Sequence, residues 1–232
     1  MTKDEAIQKL LYAAAGEIGY SEKAGKENKY AEYLTKLKTY YNGAKWSPGW
    51  GCDWCEIFVD YMFAKTFGVA IGRQMVYQPE KSLGAGCTYS ANYYINNKAW
   101  TINPSKGYQG YLGKRGNEYH TGIVESFTAT TVTMIEGNVT DSSNPKAPTK
   151  VRRVTRPRSE FSGFGIPNYA LVVNETPTPE KPNVEKRIDA EVTKLSVMAK
   201  NVLKGKYGNG ATRKKNLGEY YDPVQFIINK SL

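Results

Sequence analysis

Histidine is almost missing from this chain: His120 is the only one in 232 residues. A structural zinc site is therefore not expected. Cys52 and Cys55 form a lone C-x-x-C with neither a second such pair nor a histidine pair beside it. Cysteine is scarce as well. Cys52, Cys55 and Cys87 are an odd number that cannot close into a full disulfide framework, and a reducing compartment is the simpler reading. Long apolar runs are lacking, and no stretch has the length of a bilayer span. The N-terminal MTKDEAIQKLLYAAAGEIGY sets Lys3, Asp4, Glu5 and Lys9 where a secretory signal would have an unbroken apolar core. Neither membrane insertion nor a signal peptide is expected, and internal repeats are not evident.

Acidic residues are outnumbered, 22 against 32 Lys and Arg, which leaves a net charge of +10. Such an excess suits a polyanionic partner, and nucleic acid, an anionic membrane and a teichoic-acid-bearing wall all meet that description. The densest basic run, KAPTKVRRVTRPR from Lys146 to Arg158, holds six cations and no acid. It reads either as a polymer contact or as a solvated edge strand guarded by its own charge.

Prolines mark the division of the chain. In NETPTPEKPN, Pro177, Pro179 and Pro182 punctuate a polar stretch that favours extended geometry, so residues 175–183 read as a linker. Residues 1–174 then form a main domain and 184–232 a small C-terminal module. In the main domain Thr2 and Glu5 match a capping box, with Ala6, Leu10, Ala13, Ala14 and Ile18 at helical spacing behind them. Tyr30, Leu34, Leu37 and Tyr41 predict a second helix that ends at Asn42-Gly43. CEIFVDYMFAKTFG predicts a third that Gly68 terminates. From His120 onward the runs YHTGIVESF, TTVTMIEG, KVRRVT and YALVV predict strands. Helices first and strands later make an α+β domain. In the C-terminal module Ile188, Val192, Leu195, Ala199 and Val202 lie on one helical stripe, and Asp222 and Pro223 read as N-cap and first position of a last short helix. The module is predicted to be a small helical bundle.

Chemistry is concentrated at Cys55. A thiol becomes a strong nucleophile when a helix N-terminus or an imidazole lowers its pKa, and Cys55 stands where the third helix should begin. The competing reading is a core cysteine that serves as a small apolar side chain. Cys52 precedes the helix in a Gly-Trp-rich loop, and Cys87, in LGAGCTYS, reads as no more than a spacer. His120 gains a role from its neighbours. If YHTGIVESF and TTVTMIEG pair as a hairpin centred on Thr128, Val124 opposes Val132, His120 opposes Glu136, and Asn138 lies one diagonal step away. An acceptor oxygen at the far ring nitrogen would set the tautomer and support the imidazolium.

GWGCDWCEIFVDYMF followed by HTGIVESF and TMIEGN resembles the cysteine, histidine-dependent amidohydrolase/peptidase family, CHAP, of papain-like peptidoglycan hydrolases. GEIGYSEK and GFGIPNY extend the likeness over residues 1–174, and the whole chain looks like a phage endolysin. The resemblance implies a papain-like fold, with Cys55 as nucleophile, His120 as general base, Glu136 and Asn138 as supporting acid and amide, and Trp54 beside the substrate. Some relatives bind calcium in an acidic loop before the nucleophile. Here YYNGAKWSPGWGCDW offers only Asp53, so neither a metal nor a cofactor is expected.

The tail VLKGKYGNGATRKKNLGEYYDPVQFIIN is similar to a wall-binding repeat of some phage lysozymes, with Tyr207 where that family has Trp. The likeness implies binding to the sugar-peptide unit of bacterial peptidoglycan through Tyr207, Asn209 and Arg213, with anionic wall polymers as further partners and no nucleic acid. The expectation is an amide-cleaving wall hydrolase held in the host cytoplasm until lysis. It would act as an N-acetylmuramoyl-L-alanine amidase or as a peptide endopeptidase. The rivals are a papain-like enzyme acting on a non-wall amide and a non-catalytic binder of anionic polymers.

Overall fold

The computed structural model describes residues 1–37, 52–80, 84–173 and 184–231. The predicted helix end at Asn42-Gly43, the acid-poor loop before Cys52 and the proline-rich linker lie outside the described residues. The architecture is α+β, with helices at the N-terminus, an antiparallel sheet after them and a helical C-terminal region. By its contacts the chain divides into two compact units, Met1–Asn174 and Glu175–Leu232.

In the first unit α1 (Lys3–Ala15) starts at the capping box: Thr2 Oγ1 accepts from the Glu5 amide, and the Glu5 carboxylate accepts from the Thr2 amide. Ala6, Ile7, Leu10, Leu11 and Ala14 form its buried stripe. The short α2 (Lys29–Lys36) is capped by Asn28, whose Oδ1 accepts from the Ala31 amide. The central helix α3 (Cys55–Phe67) starts at Cys55 and stops at Gly68, whose φ of 90° suits a residue without a side chain. It is buried on nearly every side, with only Lys65 exposed, as a helix packed between other helices and a sheet must be. Two helices follow that the sequence reading did not foresee, α4 (Val69–Met75) and α5 (Cys87–Asn96).

Among the described residues the sheet has six antiparallel strands: β1 (Trp100–Thr101), β2 (Gln109–Lys114), β3 (Asn117–Phe127), β4 (Thr131–Val139), β5 (Lys150–Pro157) and β6 (Phe161–Gly165). Their spatial order is β1-β6-β2-β3-β4-β5, which leaves the arginine-bearing β5 on an edge. Helix α3 lies against β3 and β4. The contact is close because Gly137 has no side chain: a Cβ there would come within 2.6 Å of Phe58 Cβ and 2.8 Å of Trp54 Cζ3. Ile123, Ile135, Tyr111 and Val151 join the core around α3, while Leu112, Val124, Val132, Met134 and Phe164 make a second, smaller cluster.

Two strand expectations need correction. YALVV does not form a strand; Tyr169–Leu171 is a short 3₁₀ turn. The Tyr169 ring is buried with its hydroxyl donating to the Gly107 carbonyl at 2.8 Å, so a distant partner overrides the local β preference. The β3–β4 hairpin also adopts another register. The Thr128 amide donates to the Thr131 carbonyl, the Thr128 hydroxyl accepts from the amides of Thr130 and Thr131, and a bulge follows between Val124 and Ser126. Val124 therefore opposes Met134 instead of Val132.

The second unit holds α6 (Val184–Leu203), α7 (Gly210–Leu217) and α8 (Tyr221–Ser231). Gly205, at φ 77°, ends α6: its amide bonds to the Val202 carbonyl and that of Lys206 to the Asn201 carbonyl. Asp222 and Pro223 fall inside the first turn of α8, which begins at Tyr221 directly after a 3₁₀ turn, Gly218–Tyr220. Ala199, Val202, Leu217, Val224 and Ile228 make this unit's own small core. Among the described residues no helix is long and apolar enough to cross a membrane.

Candidate functional site

Cys55 occupies the first turn of α3, where the backbone amides of a helix have no partner within the helix and point toward an incoming negative charge. Its thiol and the imidazole of His120 on β3 act on each other, the imidazole lowering the thiol and the thiol raising the imidazole. His120 Nε2 lies 2.8 Å from Glu136 Oε2 on β4, which leaves Nδ1 as the ring nitrogen available to the sulfur. Thiol, imidazole and carboxylate thus make one interacting row, its imidazole–carboxylate link a hydrogen bond. The register reaches this arrangement differently from the predicted one. Continued from Ile123↔Ile135, it sets Glu136 across from Gly122. A Cβ on Gly122 would lie 2.7 Å from Glu136 Cγ, so the imidazole meets the carboxylate diagonally, beside a residue with no side chain.

Glu136 is fully buried and needs a second cation, which Arg156 of β5 supplies in a forked pair: Nε to Oε1 at 2.9 Å and Nη2 to Oε2 at 2.7 Å. Burial pushes the Glu136 carboxyl up, but the Arg156 and His120 contacts outweigh it and hold the group below its ordinary value. The Cys55 thiol is held well below its ordinary value by a hydrogen bond from Cys87 and by His120. Burial opposes charge on His120, yet the Cys55 and Glu136 contacts raise it to about 9. Both shifts favour a thiolate beside an imidazolium.

Asn138 does not join the row. With φ at 59°, it donates to Asp53 Oδ1 at 3.3 Å and accepts from the Thr149 hydroxyl at 3.0 Å, and among the described residues no hydrogen bond links it to His120. In this arrangement it braces the rim, where Asp53 also pairs with Lys26 at 2.7 Å. The expectation for Trp54 is corrected. The indole is completely buried, stacked on Tyr30, and its N–H donates to Glu22 at 2.7 Å and Thr149 at 3.0 Å, so it offers no surface to a substrate. It holds the entry to α3 in place.

Cys87, read from the sequence as a spacer, opens α5 and lies with its sulfur 3.5 Å from that of Cys55. Both cysteines, with Asp53, Thr88, Tyr89 and Glu118, border a cavity of about 380 Å³. No local signal marked Cys87, because the two sulfurs are 32 residues apart in the chain. Arg156 was visible only as one member of the basic run. A buried acid's need for a cation was the available clue. The other arginines of that run are also committed: Arg152 to Asp141, Arg153 to Glu125, and Arg158 to the Asn103 side chain and the Ile102 carbonyl. Among the described residues no group of three His, Cys, Asp or Glu side chains is placed to hold a metal ion.

In the second unit Arg213 donates to the Gly208 carbonyl at 3.1 Å, to Asn209 Oδ1 at 3.0 Å and to Gln225 Oε1 at 3.4 Å. Tyr207 packs partly buried against the small core. Tyr207, Asn209 and Arg213 therefore belong to one glycine-rich turn and the helix after it. Residues 197–232 match the CW_7 repeat. The CW_7 repeat is a cell-wall repeat, and its presence points to a cell-wall-associated chain whose second unit is suited to wall polymers. Comparison with curated proteins finds no match.

Proposed function

We propose that this chain is a cysteine-dependent peptidoglycan hydrolase whose first unit cleaves a wall amide and whose CW_7 repeat keeps it on the wall. The observation that carries this reading is the row Cys55–His120–Glu136 at the start of α3, in the same chain as a wall repeat. The CHAP-like motifs around Cys55, His120 and Glu136 favour it as well.

The chemistry follows from the geometry. The Cys55 thiolate attacks the amide carbonyl, and amides of the first turn of α3 stabilise the oxyanion. His120, already protonated by its two contacts, gives its proton to the leaving amine and then takes one from the water that hydrolyses the thioester. Glu136, held by Arg156, keeps Nε2 protonated and the ring aligned. The bond cut is a muramoyl-L-alanine amide or a peptide bond of the stem or cross-bridge.

Turbidity of a purified wall suspension tests the reading, with mass spectrometry of the digest to locate the new amino groups. Cys55→Ala is expected to abolish clearing, and His120→Ala to lower turnover at least about a hundredfold. Clearing at near-normal rate by folded His120→Ala would overturn the mechanism, since the chain has no second histidine. An intact wall with wild-type protein that still cleaves a soluble amide would move the substrate elsewhere.

A further inference from the structure

The proposed hydrolysis uses one sulfur, yet two meet at the site. Cys55 and Cys87 each open a helix, both side chains are nearly buried, both border the same cavity, and their sulfurs stand 3.5 Å apart. A disulfide is about 2.05 Å long, so closure asks the pair to approach by about 1.5 Å. We infer that Cys87 is a resolving thiol: mild peroxide oxidation links it reversibly to Cys55, making the pair a modification site that protects and silences the nucleophile.

The electrons balance with hydrogen peroxide as oxidant. The Cys55 thiolate attacks one peroxide oxygen, the O–O bond breaks, and hydroxide leaves, taking the proton of the His120 imidazolium to become water; Cys55 is now a sulfenic acid. Cys87 sulfur then attacks Cys55 sulfur, the S–O bond breaks, and the departing hydroxide leaves as water with the Cys87 proton. Two thiols have lost two electrons and the peroxide has become two waters. The order of events is built into the site. While Cys55 is a thiolate, its hydrogen bond and charge help burial and Glu56 to keep the proton on Cys87, and the share due to Cys55 is relieved once Cys55 becomes an uncharged sulfenic acid. Only the silencing of lysis rests on the hydrolase reading; the disulfide does not.

The test treats the full-length protein with a small excess of hydrogen peroxide and maps its peptides without reduction. The expected result is a Cys55–Cys87 cross-linked peptide, a fall from three titratable thiols to one, and full recovery of all three with dithiothreitol. Under the same peroxide Cys87→Ser and Cys87→Ala should carry Cys55 on to the sulfinic acid, with at least tenfold less thiol recovered at Cys55. A cross-link to Cys52, or sulfinic acid at Cys55 of the wild type with no cross-link, would overturn the proposal. The wild-type map needs no variant, so a folding failure of the substitutions leaves it decisive. A cross-link in a protein that clears no wall even when fully reduced upholds the resolving thiol and refutes the hydrolase reading alone.

Discussion

Arg156 lays its guanidinium along both oxygens of Glu136, at 2.9 Å and 2.7 Å, so the carboxylate that bonds His120 is clamped from the neighbouring strand. Its removal would strand a buried negative charge. Arg156→Ala is expected to cost about 3 kcal/mol in a urea melt. It should also shift the pH profile of wall cleavage, because Glu136 then gains a proton more readily and ceases to hold the imidazolium. Arg156→Lys should restore less than half of the loss, as an ammonium cannot grip both oxygens. Unchanged stability and profile in Arg156→Ala would deny the clamp.

Titration offers a separate check. Cys55 should react with iodoacetamide at pH 6, where an ordinary thiol is protonated, and cleavage should decline above about pH 9 as His120 loses its proton. For stability the signs oppose. The raised His120 contributes fully below its ordinary 6.5, and that contribution is lost as pH rises through about 9. The lowered Cys55 contributes fully above its ordinary 9.0, and that is lost as pH falls through its lowered value. Between 6.5 and 9 the two contributions change in opposite directions and offset one another, and below 6.5, where that of His120 is complete, only the falling Cys55 contribution is left. Thermal melts of wild type and Cys55→Ala across that range should show a difference that is flat and then shrinks toward acid.

Gly122 tests the diagonal contact. Gly122→Ala places a methyl 2.7 Å from Glu136 Cγ and 2.9 Å from the Ile135 carbonyl oxygen, and the carboxylate has to move. Destabilisation of about 1–3 kcal/mol is expected, with a fall in kcat larger than any change in KM. A substitution that alters KM alone would place Glu136 outside the row.

Removal of residues 175–232 should leave cleavage of soluble wall fragments intact, because Met1–Asn174 is a compact unit with its own core. Binding to whole cells should weaken on the order of tenfold, the contribution of one tethered repeat. Equal sedimentation of full-length and truncated protein with cells would remove the targeting role of the CW_7 repeat.

Much of this molecule was readable along the chain. Thr2 and Glu5 announced α1, Cys55 and Gly68 marked both ends of α3, and alternating β-branched runs located β3, β4 and β5, because caps, helical spacing and strand alternation act over a few residues. Cys55, His120 and Glu136 stood out for the same reason, each within a short motif. Tertiary structure decided the rest. A turn over Thr128–Thr131, with the bulge that follows it, replaced an opposed His120–Glu136 pair with a diagonal one, and a strand pairing brought Arg156 onto Glu136. The fold buried Trp54, drew Asn138 to Asp53 and Thr149, and set Cys87 against Cys55. Each of these depends on residues far apart in sequence, where a single bulge or a helix placement outweighs every local preference.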